Sequence, residues 1–284
     1  MEENACLPLF KNAGKPHQIS SYRPISLCCS LSKIFEKLLL FQIEDHSRSM
    51  NLLSAHQHGF RKSYSTVTNL LSTYDFVGKH LDNHDSVDVI YLDFRKAFDK
   101  LSHKLLITKL SNMKFSNTIL NWLSNFLSDR TQAVVINGSI SNPIRVASGV
   151  PQGSLLGPIL FLLYLNDIFE LKLNANLIAF ADDTKIYDVV SQLKNLSSDL
   201  LMIEEWCIRN EMELNVEKCA VIHFDPHNPI SSYYLNDVLI PVVDHYKDLG
   251  IIIDSHLSFS THVSFLVKKC IALIRVISKS FACK

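Results

Sequence analysis

Three carboxylates stand where they could do chemistry: Asp93 near the end of the β-rich run VDVIYLDF (87–94), and Asp182 and Asp183 between the extended runs LIAFA (177–181) and KIYDVV (185–190). Carboxylates on stiff strands suit hard divalent cations, which demand oxygen ligands. Two such ions held on the order of 4 Å apart activate an attacking oxygen and clamp a departing phosphate, the chemistry of phosphoryl transfer. Asp is also a favoured turn residue, so an Asp-Asp pair at a turn, taken alone, is better read as a solvated tip. The chemical reading requires Asp93 and Asp182 to face each other across adjacent strands of one sheet.

The elements around them follow from periodicity. Leu31, Ile34, Phe35 and Leu38 fit the i, i+3, i+4, i+7 template, as do Val67, Leu70, Leu71 and Tyr74, predicting two amphipathic helices before the Asp93 strand. Helical patterns return at about 102–112 and 116–127. The run TQAVVI (131–136), then Asn137-Gly138, then a second extended run to Val146 predicts a hairpin with a two-residue type I′ turn. SGVPQG (148–153) is a loop leading into an apolar helix over about 154–169, and Asp182-Asp183-Thr184 is the tip of a second hairpin. A helix over 192–212, strands at 219–224, 233–240 and 246–253, and a last helix from Thr261 with Val263, Leu266, Val267, Cys270 and Ile274 on one face complete the chain. Strands interleaved with helices and hairpins, without a regular βαβ repeat, predict an α+β fold on a small antiparallel sheet.

The totals set limits. In 284 residues, 47% hydrophobic and 20% charged, the composition is that of a folded globular chain. Lys plus Arg equals Asp plus Glu at 28 each, so any basic groove must be local. Residues 1–80 carry nine Lys/Arg against six Asp/Glu, and residues 255–284 carry five Lys/Arg and no acid. Seven cysteines form no C-x-x-C pair and no zinc spacing with His, and are read as reduced thiols. The first residues hold Glu2 and Glu3 rather than a leader pattern. The longest apolar stretch, Leu155–Leu165, contains Gly157 and Pro158 and is too short to span a bilayer. An intracellular protein with no membrane partner is expected, nucleus and cytoplasm being indistinguishable.

Seven blocks then occur in a fixed order: YRPISL (22–27), QHGFRKSYST (57–66), YLDFRKAFDKLSH (91–103), SGVPQGSLLGPILF (148–161), FADD (180–183), LNVEK (214–218) and YKDLG (246–250). In these the chain resembles the reverse transcriptases of non-LTR retrotransposons of the jockey and chicken-repeat type, over nearly its whole length. The resemblance implies a right-hand polymerase fold, with residues 1–86 as a fingers-like segment, 87–254 as the palm (part of 100–150 returning to the fingers) and 255–284 as the start of a thumb or connection helix. It implies an RNA template, a DNA primer, a deoxynucleoside triphosphate and two magnesium ions, with manganese as a substitute.

Carried over by position, the resemblance makes Asp93, Asp182 and Asp183 the catalytic carboxylates and metal ligands, Asp183 the more peripheral, and turns the Phe94 carbonyl toward a metal. Phe98 is the aromatic beneath the sugar that rejects a 2′-hydroxyl; a lone Phe would otherwise be read as core. Arg61, with Lys62 beside it, grips the triphosphate, where a guanidinium pairs bidentately with phosphate. Gln152 touches nucleotide and template, and Gly149 and Gly153 let backbone approach the base pair. Lys218 is the general acid for the departing pyrophosphate. Tyr246, Leu249 and Gly250 belong to the primer grip, and Arg23 lies near the template. Against this pattern the chain is expected to lack part of the fingers and most of the thumb. The rival reading is therefore an inactive remnant that at most binds RNA; an unrelated cation-binding protein would leave Phe98, Gln152 and Arg61 without a role.

Overall fold

The computed structural model describes residues 4–11, 15–191 and 194–281. The chain opens with strands β1 (Asn4–Phe10) and β2 (Tyr22–Ser26), helices α1 (Ser30–Ser49) and α2 (Thr66–Asp82), and strand β3 (Val87–Leu92). Helices α3 (Ala97–Lys100), α4 (His103–Asn112) and α5 (Asn117–Leu127) lead to strands β4 (Thr131–Ile136), β5 (Ser139–Ile140) and β6 (Ile144–Arg145), then helix α6 (Gly157–Leu165). Strands β7 (Asn176–Phe180) and β8 (Asp183–Val189), helix α7 (Ser197–Arg209) and strand β9 (Ala220–Phe224) follow. Two short hairpins, β10 (Tyr234–Leu235) with β11 (Val238–Leu239) and β12 (His245–Asp248) with β13 (Ile251–Asp254), precede helix α8 (Ser260–Phe281).

The four-stranded antiparallel sheet β7-β8-β3-β9 carries the acidic motifs. Both of its faces are covered, so every residue of β3 is buried and the run reads as continuously apolar rather than alternating. The pleat still sorts side chains by parity. Ile90 and Leu92 join a large core with α4, α5, α6 and α7, while Val87, Val89 and Tyr91 join a second with Val77 of α2 and Ile253 of β13. Helix α6 is buried on all sides, which its unbroken apolar sequence requires. The one charge on β3, Asp88, is buried and accepts hydrogen bonds from Asn228 Nδ2 (2.8 Å) and Tyr233 Oη (2.5 Å) and pairs with His223 Nδ1 (2.6 Å).

A second sheet joins the N-terminal strands to residues 131–145 in the order β2-β1-β4-β5, with β6 on the other end of β4. The type I′ turn expected at Asn137-Gly138 is present, with φ of 49° and 83°. Strand β1 was not legible in the sequence. Its Pro8 faces Pro24 of β2, and its parallel partner β4 lies far along the chain, so no local pattern announces it.

Four expectations need correction. The segment 246–253, expected as one strand, is the β12–β13 hairpin, because Leu249 and Gly250 adopt positive φ and turn the chain. The segment 233–240 is a hairpin rather than one strand, because Asn236 and Asp237 both adopt positive φ (47° and 60°) and turn the chain. The apolar helix is shorter than 154–169, its end tightening into a 3-10 turn over Asn166–Glu170. The apolar faces assigned to α1, α2 and α8 are largely not the buried ones: Leu31, Ile34, Phe35 and Leu38 are exposed, as are Val67 and Leu71, and α8 buries no residue. Glu36, Ile43 and Ser47 are buried on α1, and Asn69, Thr73 and Val77 on α2. On α1 a polar attachment contributes. The Glu36 carboxylate accepts from Leu155 N (2.7 Å) and Leu156 N (3.3 Å), tying α1 to the entry of α6. Of the last helix before β9, Gln192 and Leu193 lie outside the described residues, and the helix itself runs Ser197–Arg209.

Candidate active site

Strands β7 and β8 meet in a two-residue turn, Phe180 pairing with Asp183 across Ala181 and Asp182. Strand β8 also pairs with β3 up to Leu92↔Thr184, so one step further along this register Asp93 stands beside Asp183. Two distant segments thereby deliver three carboxylates to one end of the sheet. The backbone beyond Asp93 is pinned: Asn215 N donates to Asp93 O (2.8 Å) and Arg95 N to Glu213 O (2.8 Å).

The charges at this end act on one another. Burial raises the Asp182 carboxyl above its ordinary range and the charge of Asp93 adds to that, while Arg23 and Lys218 oppose it. Burial, then the charges of Asp182, Asp248 and Asp93, pushes Asp183 up to about 6. Lys218 Nζ stands 3.5 Å from Asp93 Oδ2. That oxygen is buried and receives no hydrogen bond. Among the described residues no group of three or more His, Cys, Asp and Glu side chains could by itself hold a metal ion. What the fold presents is mutually repelling, partly desolvated aspartates with an open oxygen, a donor set that fits hard divalent cations.

The turn is held from behind by residues the sequence reading passed over. Gln57 is fully buried; its Oε1 accepts from Ala181 N (2.8 Å) and Gly59 N (2.8 Å), and its Nε2 donates to Ala181 O (3.2 Å). His58 N donates to Ala179 O (2.8 Å), and Ala179 N to His56 O (2.9 Å). The QHGF segment thus lies along the outer edge of β7 and clamps Ala181 at φ 59°, a left-handed conformation costly for alanine. A buried glutamine in QHGF just ahead of the FADD tip carried no local signal of this contact.

Phe98 is half-buried, its ring stacked on Phe161 at 4.4 Å and edge-on to Phe60 at 6.3 Å. The SGVPQG loop packs on the same turn: Val150 N donates to Phe98 O (2.9 Å), and Gln152 Nε2 to Asp99 Oδ1 (2.8 Å). Gly149 (φ 81°) and Gly153 (φ 115°) are required here for contacts within the protein, since a Cβ would lie 2.6 Å from Asp99 O and 2.8 Å from Ser26 O respectively. Arg61 Nη1 donates to Gln57 O (3.0 Å) and to Ser54 O, with the guanidinium 4.3 Å above the Tyr64 ring, while Lys62 is exposed. Phe94 is buried edge-on to Trp206 at 6.3 Å.

The β12–β13 hairpin turns at Leu249 (φ 45°) and Gly250 (φ 98°) and shares no strand pairing with the main sheet. Side chains dock it instead. Tyr246 stacks on Tyr91 at 3.8 Å, and buried Asp248 pairs with buried Lys185 while accepting from Tyr74 Oη (2.9 Å). Tyr74 Oη is in turn 2.6 Å from Tyr91 Oη. Asp248→Ala is expected to cost about 3–5 kcal/mol, because it leaves the Lys185 ammonium buried without a counter-ion. Replacing both, Lys185→Met with Asp248→Leu, should recover most of that loss in denaturant melts; equal losses for the single and double changes would show that the pair is not the anchor.

A four-stranded antiparallel sheet that brings separate aspartates to one end, with the SGVPQG loop and a docked hairpin about it, is the arrangement of an α+β right-hand fold. The model of the reverse transcriptase (RNA-dependent DNA polymerase) family matches residues 11–260, and the chain belongs to this family. It is 30% identical over 274 residues, 91% of its length, to the probable RNA-directed DNA polymerase from transposon X-element of Drosophila melanogaster, covering 29% of that protein. It is equally 30% identical over 275 residues, 92% of its length, to the RNA-directed DNA polymerase from mobile element jockey of the same fly, covering 30% of it. The chain therefore spans about three tenths of the length of these relatives. Among solved structures, telomerase from Candida tropicalis bound to a fragment of telomeric RNA superposes with a TM-score of 0.58 at 12% identity, over 86% of this chain and 43% of that one. Among the described residues no helix is long and apolar enough to cross a membrane, and no disulfide joins two cysteines; Cys283 lies outside the described residues.

Proposed function

We propose that this chain is the catalytic core of an RNA-directed DNA polymerase of the non-LTR retrotransposon type, adding deoxynucleotides to a DNA primer on an RNA template. The observation that carries the reading is the delivery of Asp93 and Asp182 to one end of the sheet by adjacent strands, with Asp93 Oδ2 buried and free of hydrogen bonds. Asp93 and Asp182 would hold two divalent cations, magnesium or manganese, with Asp183 at the margin and the Phe94 carbonyl nearby. Those ions would supply activation of the primer hydroxyl and neutralisation of the pyrophosphate.

The protein's own groups do the rest. Lys218, paired with Asp93, stands ready to give a proton to the departing pyrophosphate. Arg61 and Lys62 contribute positive charge for the triphosphate, and Gln152 and Gly153 border the nascent pair. Arg23 faces the template, and the Tyr246, Leu249 and Gly250 hairpin seats the primer end. Residues 1–86 act as fingers together with strands 131–145 that pair with them, 87–254 as palm, and 255–284 as the connection toward a thumb. Seven cysteines without a C-x-x-C pair fit a reducing, intracellular setting.

Purified chain given a DNA primer on an RNA template, deoxynucleotides and magnesium or manganese is expected to extend the primer only with the ion present. Absence of product with either ion would leave the RNA-binding remnant as the better reading. Phe98, held by its stack on Phe161, acts as the sugar gate. Phe98→Val is expected to raise ribonucleotide incorporation relative to deoxynucleotide by about 10–100-fold, read as the ratio of kcat/KM values. An active variant with unchanged sugar preference would remove Phe98 from that role.

A further inference from the structure

Outside the aspartate cluster, one cavity of about 320 Å³ opens between β2, the β4–β6 strands and the SGVPQG loop, lined among others by Arg130, Gln132, Arg145, Ser148 and Gln152. Arg130 is the unusual member. Its Nε and Nη1 are buried and have no hydrogen-bond partner, and it forms no salt bridge with any described residue. Burial lowers its basicity, and only the Cys28 and Cys6 thiols and Glu36 oppose that. Both Glu36 oxygens are already taken, one by Leu155 N and Leu156 N and the other by Ser32 Oγ. A guanidinium keeps its charge and offers five donors, so a desolvated one with open donors is costly unless an anion completes it.

The surroundings select the anion. Arg145 follows on β6, across from Thr131, and its own partner Asp129 is a highly exposed residue. The one carboxylate in the cavity wall, Asp99, is engaged by Gln152 Nε2 through its side chain and by Ser148 Oγ through its carbonyl. The wall is therefore net positive, with amide and hydroxyl groups at its rim. Gln152 lines this cavity and bonds to Asp99, which also lines it and directly follows Phe98.

We propose that this cavity binds a backbone phosphodiester of the template strand, with Arg130 as its forked donor and Arg145 as a supporting charge. The proposal rests on the polymerase reading for the identity of the strand, while the phosphate chemistry rests on the cavity alone. Arg130 is a binding residue that fixes where the template lies against Gln152, and it takes no part in bond making.

The test measures binding apart from catalysis. Fluorescence anisotropy of a labelled primer-template is followed against salt for the wild type and for Arg130→Gln. The variant is expected to bind about 10-fold more weakly, with the slope of log K on log salt reduced by about one. Its melting temperature should be unchanged or higher, because the side chain has no hydrogen bond in the free protein to lose. With wild-type protein alone, template strands carrying one neutral methylphosphonate at successive positions should reveal a single linkage whose neutralisation weakens binding, and Arg130→Gln should be indifferent at that linkage. An unchanged salt slope in the folded variant, or no sensitive linkage in the wild-type scan, overturns the proposal. So does a variant that binds template normally but shows a raised KM for deoxynucleotide, which would make the cavity a triphosphate site. Should the wild type fail to extend primers while the sensitive linkage persists, the polymerase reading falls and the phosphate site stands.

Discussion

Asp182→Asn is expected to lower divalent-ion-dependent primer extension by about 10³-fold or more, the scale of losing a group that stabilises transition-state charge directly. Its effect on stability should run the other way. Asp182 is largely buried and repelled by Asp93, which raises its carboxyl and means that its charge weighs against the fold. An isosteric amide removes that repulsion, so melting without divalent ions should be unchanged or slightly higher. Adding magnesium should raise the melting temperature of the wild type by linkage and leave the variant where it was. Extension at the wild-type rate would end the assignment of Asp182. A variant that unfolds at a much lower temperature would make it a structural residue instead.

Gly59→Ala should be nearly as damaging, for a different reason. Gly59 is not at a positive φ, so its backbone conformation suits any residue; the demand is for space. A Cβ there would lie 2.2 Å from Ala181 N and 2.9 Å from Ala181 Cα, which no backbone contact tolerates. Either QHGF must leave the edge of β7, breaking the Gln57 clamp, or the Ala181-Asp182 turn must move. Overpacking of this kind costs about 1–3 kcal/mol. Displacement of a reacting group by about 1 Å lowers turnover by about 10²-fold. Gly78 is the internal control. It lies within α2 with nothing within 4 Å of its added Cβ, so Gly78→Ala should stabilise by about 0.5–1 kcal/mol and leave extension unchanged. If the two substitutions behave alike, close packing on Ala181 does not position the turn.

Much of the site was legible without coordinates because its elements are short-range. A buried strand ending at Asp93, an Asn-Gly hairpin at 137–138 and an Asp-Asp turn between two extended runs each declare themselves within about ten residues, through period, turn chemistry and β-branched content. That the acids lie at matching ends of neighbouring strands follows from such elements once they pair. The order of the seven blocks then named the family. The apolar stripes of α1, α2 and α8 misled for an equally physical reason: periodicity reports which face could be buried, and in α1 the deciding attachment is one carboxylate, Glu36, bonded to amides some 119 residues away.

By itself, then, the amino-acid order determined most of the helices and the central strands, the carboxylate-bearing segments and the membership of a polymerase family. Only the tertiary structure decided what holds those segments in register. Gln57 grips Ala181, Lys185 and Tyr74 anchor the docked hairpin through Asp248, Gly149 and Gly153 are needed against Asp99 and Ser26, and Arg130 is left with open donors in a cavity. Each is a hydrogen bond, an ion pair or a close approach between residues distant in sequence. Such contacts depend on where the folded backbone brings two groups together, and no local pattern of residue types encodes that.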